Sequence, residues 1–175
     1  MIEDLELRAA PSTDPAVRTL ATAQQAELAA VYGDDQPLVD LHPDITFTLL
    51  LLEGSPVGCV GLQPVEAGLG EIKRMYVEPS SRGWGLSRIL LDAVEAEAQR
   101  RSITQLRLET GTQQREAIAL YTNHGYTRTP PYPPFENEPA SLCFAKELGQ
   151  VEDQGVAFGV EAEAVEVRRG VAHPG

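Results

Sequence analysis

Glu71-Ile72-Lys73-Arg74-Met75-Tyr76-Val77-Glu78-Pro79-Ser80-Ser81-Arg82-Gly83-Trp84-Gly85-Leu86-Ser87 is the stretch that decides how this chain is read. Its first half alternates apolar and polar residues and predicts a short strand that stops at Glu78-Pro79. Its second half is an Arg-Gly-Trp-Gly loop that runs straight into helix formers as far as Arg101. The first turn of a helix carries backbone N–H groups with no acceptor inside the helix. Together with the helix dipole they make an anion site. The two glycines let the backbone approach a bulky phosphate and take φ angles that other residues avoid. Strand, loop and helix therefore predict a pyrophosphate cradle. Alone, the loop fits a plain strand-to-helix turn equally well. Two known patterns fail: a dinucleotide fingerprint would need a third glycine where Ser87 stands, and a nucleoside-triphosphate loop would need a closing Gly-Lys-Ser/Thr.

Working outward, the chain has 175 residues, 42% hydrophobic and 23% charged, which fits one domain with a core of its own. The net charge of -12 argues against nucleic acid as partner, because a phosphate backbone demands a basic surface. Cys59 and Cys143 lie in apolar strand-like runs and read as buried thiols, not as a metal pair or a bridge. No metal-ligand motif is present, so no metal is expected. An acidic start without a signal-peptide core, and no apolar run near the ~20 residues of a bilayer span, make a cytoplasmic protein with no membrane partner the expectation.

Residues 5–8 read as a strand. Asp14-Pro15 is a cap followed by proline at the first helical position, which opens a helix over residues 14–32, in one piece or two. Val17, Leu20, Ala21, Gln24, Leu28 and Val31 make its inner stripe. Residues 34–44 read as an irregular loop. Strands follow at 45–52, 57–63 and 71–77, separated by turns at 53–56 and 66–70, and form an antiparallel meander. In the helix after the glycine loop, Leu86, Ile89, Leu90, Ala93 and Val94 share one face, with Asp92, Glu95, Gln99 and Arg100 toward water. A strand at 105–110 should pair in parallel with the one before that helix. A helix over 113–124, strands at 126–128 and 141–146, and a Pro-rich loop between them complete the domain. Residues 149–175 read as a tail, disordered in part, with 160–167 as a candidate added strand or subunit contact.

A second motif stands at Ala117-Ile118-Ala119-Leu120-Tyr121-Thr122-Asn123-His124-Gly125-Tyr126. With Arg-Gly-x-Gly-x-Ser after Met-Tyr-Val, in this order of elements, residues 1–148 resemble the GNAT superfamily of acyl-CoA-dependent N-acetyltransferases, in its small stand-alone bacterial form. Ser87 departs mildly from the family's usual Gly or Ala. The resemblance implies a mixed α/β sheet whose central parallel pair splays around acetyl-CoA. It also implies an N-acetyltransferase that moves acetyl to a primary amine of a small molecule or peptide. A homodimer would follow family habit.

Carried over position by position, the resemblance implies that Met75, Tyr76 and Val77 meet the pantetheine arm with their main chain. Arg82, Gly83, Trp84, Gly85, Leu86, Ser87 and Arg88 would cradle the pyrophosphate, and Gln114 would lie near the cofactor. Tyr121 would protonate the departing thiolate, or else be only a core aromatic on its helix stripe. Glu71 and Glu109 are alternative general bases, bulk water or a substrate-bound base is the third alternative, and either carboxylate could instead be paired with a neighbouring cation. Arg74 is expected on the face opposite Glu71, holding a substrate carboxylate or a surface salt bridge. His124 reads as a surface group at a helix end. A non-catalytic acyl-CoA sensor is the alternative function, disfavoured by the intact Tyr121.

Overall fold

The computed structural model of the chain describes residues 4–33, 37–38 and 40–149. The readings made for the tail beyond Gly149, and for 34–36 and 39 in the long loop, lie outside the described residues. The strands are β1 (Leu5–Pro11), β2 (Thr46–Leu52), β3 (Ser55–Glu66), β4 (Leu69–Val77), β5 (Gln105–Gly111), β6 (Thr127–Thr129) and β7 (Ser141–Glu147). They form one mixed sheet in the order β1-β2-β3-β4-β5-β7-β6. Every neighbouring pair is antiparallel except β4 and β5. Among the described residues three α-helices, α1 (Pro15–Tyr32), α2 (Leu86–Arg100) and α3 (Arg115–Asn123), complete the mixed α/β fold that the sequence predicts.

Local chemistry sets the element ends. The Asp14 side chain accepts the Ala16 N–H at 2.8 Å, Pro15 follows, and Gly33 closes α1 in the left-handed region. The helix is one piece. Ser55 and Pro56 belong to β3, so the turn is narrower than the sequence suggests. Glu53 and Gly54 alone make it, both at positive φ.

The sheet buries two faces. On one, Val17 and Leu20 of α1 cover Phe47, Leu49, Leu51, Cys59 and Tyr76. On the other, Leu86, Leu90, Leu91 and Val94 of α2 pack on Val60, Leu62, Ile72, Leu106 and Leu108. Each such aliphatic side chain contributes about 1.5–3 kcal/mol when fully buried. Gly61 lets β3 run close beneath Ile45. A Cβ there would lie 2.7 Å from the Ile45 side chain and 3.1 Å from the Lys73 carbonyl. Gly61→Ala is therefore expected to destabilise the fold by about 1–3 kcal/mol, read as a lowered melting temperature with cofactor affinity unchanged.

Two surface readings need correction. Glu95 does not point to water: it accepts from the Tyr126 hydroxyl at 2.9 Å and from Lys146 Nζ at 2.8 Å. His124 is not a free surface group, for its Nε2 lies 3.0 Å from Asp92 and 3.6 Å from Glu95. Helix periodicity marks the outer face of α2, but the C-terminal end of α3 and β7 cover part of it.

Candidate active site

Strands β4 and β5 are in register only from Leu69 opposite Gln105 to Glu71 opposite Arg107. Beyond that they part. A bulge marks the departing strand: Lys73 faces Gly61 and Tyr76 faces Cys59, so Arg74 and Met75 together oppose the single residue Val60. Arg74 takes up the irregularity at φ 52. Such a bulge leaves part of the ladder unpaired and bends the strand.

The bulge also corrects a sequence reading. Simple alternation places Met75 on the side of Glu71 and Lys73 and sends Arg74 to the other. In the structure Met75 packs with Ile72 and Val77 on the α2 side. The Arg74 side chain reaches α1, where Nη1 donates to Gln25 Oε1 at 3.0 Å. The surface salt bridge considered for Arg74 is not formed among the described residues. Burial lowers the Arg74 pKa, with the Cys59 thiol opposing it.

A cleft of about 340 Å³ opens where the strands diverge. Met75, Tyr76 and Val77 of β4, Arg82, Gly83, Gly85, Leu86, Ser87 and Arg88 of the loop and the start of α2, and Gln114 and Tyr121 all line it. Thus the proposed cofactor residues converge, except that Trp84 stands outside the lining and is 62% exposed. Gly83 and Gly85 sit at φ 90 and 78, with no atom within 4 Å of where a Cβ would be. Among the described residues, no acceptor takes the amides of Gly83, Trp84, Gly85, Leu86, Ser87 or Arg88. Gly85 caps α2 without any side-chain bond, so the helix's N-terminal donors face open space. An anionic group as large as a diphosphate fits this cradle, and the open space at the glycines is what such a group would fill.

Helix α1 supplies residues that the sequence reading missed. Gln24, Glu27 and Leu28 line the cleft. Glu27 pairs with Arg82 at 2.9 Å, while Arg82 Nε holds the Val77 carbonyl at 2.8 Å. Gln24 Nε2 donates to the Met75 carbonyl at 2.8 Å. The available signal was a glutamine standing in an otherwise apolar helical stripe.

The two candidate bases are placed differently. Glu71 is 5% exposed and gripped from both sides, by Lys73 and by Arg107 at 3.0 Å. Arg107 in turn stacks 3.9 Å from the centre of the Tyr132 ring. Glu109, toward the end of β5, forms no ion pair among the described residues. Burial raises its carboxyl pKa; a Ser141 hydrogen bond and the Lys73 charge oppose the rise, and the charges of Glu71 and Glu138 add to it. Neither carboxylate lines the cleft itself. Tyr121 is buried and lines the cleft, with its ring edge-on to Tyr126 at 5.8 Å. Burial first, and the Glu109 charge second, raise the Tyr121 pKa, so the phenol stays neutral. Cys59 is no nucleophile: burial pushes its thiol up to about 12, against the pull of Arg74.

The sequence profile of the Acetyltransferase (GNAT) family matches residues 10–126. The chain belongs to the GNAT acetyltransferase family. It is similar to an IAA acetyltransferase of Azospirillum brasilense, 39% identical over 132 residues that span 70% of this chain and 86% of that protein. Among solved structures it resembles a Klebsiella pneumoniae protein classed with the acyl-CoA N-acyltransferases. That pair has a TM-score of 0.74 and 34% identity, over 83% of this chain and 98% of the other. A GNAT acetyltransferase from Elizabethkingia anophelis, solved with acetyl-CoA bound, shares the fold at TM-score 0.63 and 19% identity, over 82% and 98% of the two chains. Membership makes this chain an acyltransferase, with no described helix long and apolar enough to cross a membrane.

Proposed function

We propose that this acyltransferase moves the acetyl group of acetyl-CoA to a primary amine of a small molecule or peptide, by direct attack on the thioester. The observation that supports this best is the row of unclaimed amides from Gly83 to Arg88 at the head of a wedge between parting strands. Those amides would hold the diphosphate. The main chain of Met75, Tyr76 and Val77 would align the pantetheine arm, and Gln114 borders the same channel. Bound acetyl-CoA supplies an activated carbonyl.

The attacking amine must be neutral, and we assign its proton to Glu109, which stands outside the cleft lining and would receive it through a water. A carboxylate with a raised pKa is a better base than an ordinary one. Glu71, held by two cations, is the weaker candidate. Tyr121, neutral and at the acyl end, gives its proton to the leaving sulfur. The C–N bond forms as the C–S bond breaks, yielding an amide and a free thiol. No covalent enzyme intermediate is required, in keeping with the protonated Cys59.

The direct test is thiol release from acetyl-CoA in the presence of a panel of amines: amino acids, aryl-alkyl amines, polyamines and short peptides. At least one should accelerate release well above hydrolysis. Tight binding of acetyl-CoA with no acceleration by any amine would leave a cofactor-binding protein without transferase activity.

A further inference from the structure

The bulge that opens the cleft leaves two complementary groups unmatched. Arg74 uses Nη1 on the neutral Gln25 amide, and its Nε and Nη2 have no acceptor among the described residues. Neither atom is sealed in the interior without a partner, and Arg74 stands just outside the residues that line the cleft. This chain has 26 acidic residues, yet none of the described ones pairs with this half-buried guanidinium. A desolvated cation normally acquires an anion. Arg74 also occupies a positive φ that residues other than glycine seldom take, and such strain clusters at functional sites.

The second group is Gln24. Its Nε2 bond to the Met75 carbonyl fixes the amide orientation, because the flipped amide would set oxygen against oxygen. Its Oε1 is then a buried acceptor with no donor among the described residues. Gln24 lines the cleft at the Met75 end, where the acyl group would lie, and Arg74 is the residue next to Met75. A spare donor fork and a spare acceptor thus flank the bulge.

We infer that the acceptor is an amine that also carries a carboxylate, an amino acid by chemical class, with its carboxylate on the Arg74 fork and its amine donating to Gln24 Oε1. The inference rests on the acetyl-transfer reading and narrows it. Arg74 supplies the planar, bidentate match to a carboxylate, and Gln24 points the amine toward the acyl carbon beside Met75.

The test compares each L-amino acid with its own carboxamide as acceptor, in the wild type and in Arg74→Gln, by thiol release, with acetyl-CoA affinity measured by calorimetry. In the wild type, the preferred acid should exceed its amide in kcat/KM by about 10- to 100-fold, the worth of a charge-assisted pair. Arg74→Gln should erase that preference by raising KM for the acid, with KM for the amide and acetyl-CoA affinity unchanged. If Arg74→Gln fails to fold, the wild-type ratio alone decides. Amides or polyamines used as well as the acids would overturn this inference and leave acetyl transfer standing. Equal impairment of acid and amide in a folded Arg74→Gln would do the same. Turnover with no amine of any kind would overturn both.

Discussion

Tyr121→Phe is expected to lower kcat by about 100-fold or more, with acetyl-CoA affinity nearly unchanged. The ring is retained, so its edge-on contact with Tyr126 at 5.8 Å survives and the melting temperature should barely move. What disappears is the proton donor at the acyl end of the cleft. The pH dependence carries the same signature. Burial and the Glu109 charge both disfavour the phenolate, so ionisation of Tyr121 is displaced above its ordinary value of 10.0. The wild type should therefore show no alkaline loss of kcat from this group until pH exceeds that value. A Phe variant with wild-type kcat would return Tyr121 to the role of a core aromatic, which its helix stripe also allows.

Glu109→Gln should lower kcat/KM by about 100-fold and remove the acidic limb of its pH profile. The sign follows from the direction of the shift. The base works ionised, and burial raises its pKa above the ordinary carboxylate value of 4.5. Activity in the wild type should thus fall as pH drops through a value above 4.5, earlier than an exposed glutamate would impose. Gln accepts a hydrogen bond but no proton, so its residual rate should be flat across that range. If the limb persists in Glu109→Gln, another group titrates there, and the doubly paired Glu71 becomes the next candidate.

Much of the fold was legible because each signal was local. Asp14-Pro15 and Gly33 bracket α1, and the loop glycines precede α2. The parallel β4–β5 pair follows from the length of its crossover. The cradle was legible for the same reason, since a strand, two glycines and a helix are contiguous in sequence. What alternation could not reveal was the bulge. A period of two assumes an unbroken ladder, and one inserted residue at Arg74–Met75 reverses every face assignment after it. That is why simple alternation puts Met75 and Arg74 on the wrong sides. The partners of Glu71 were hidden for a related reason: Arg107 lies on another strand, and only the register of β4 and β5 brings it alongside. Gln24 was visible as a polar residue in an apolar stripe, but its meaning depended on the Met75 carbonyl, 51 residues away.

The central claim is that main-chain donors from Gly83 to Arg88 hold the diphosphate of the acyl carrier. A calorimetric comparison of coenzyme A with pantetheine, which has the same arm and thiol but lacks the diphosphate and the 3′-phosphoadenosine beyond it, tests it, with adenosine 3′-phosphate as the control for the nucleotide's own share. The fluorescence of Trp84, the chain's one tryptophan, serves as a second readout at the loop itself. Coenzyme A should bind and perturb Trp84, while pantetheine should bind at least about 100-fold more weakly, the loss of two or more charge-assisted hydrogen bonds. Equal affinity for the two ligands, or binding of coenzyme A with the Trp84 signal unmoved, would contradict it.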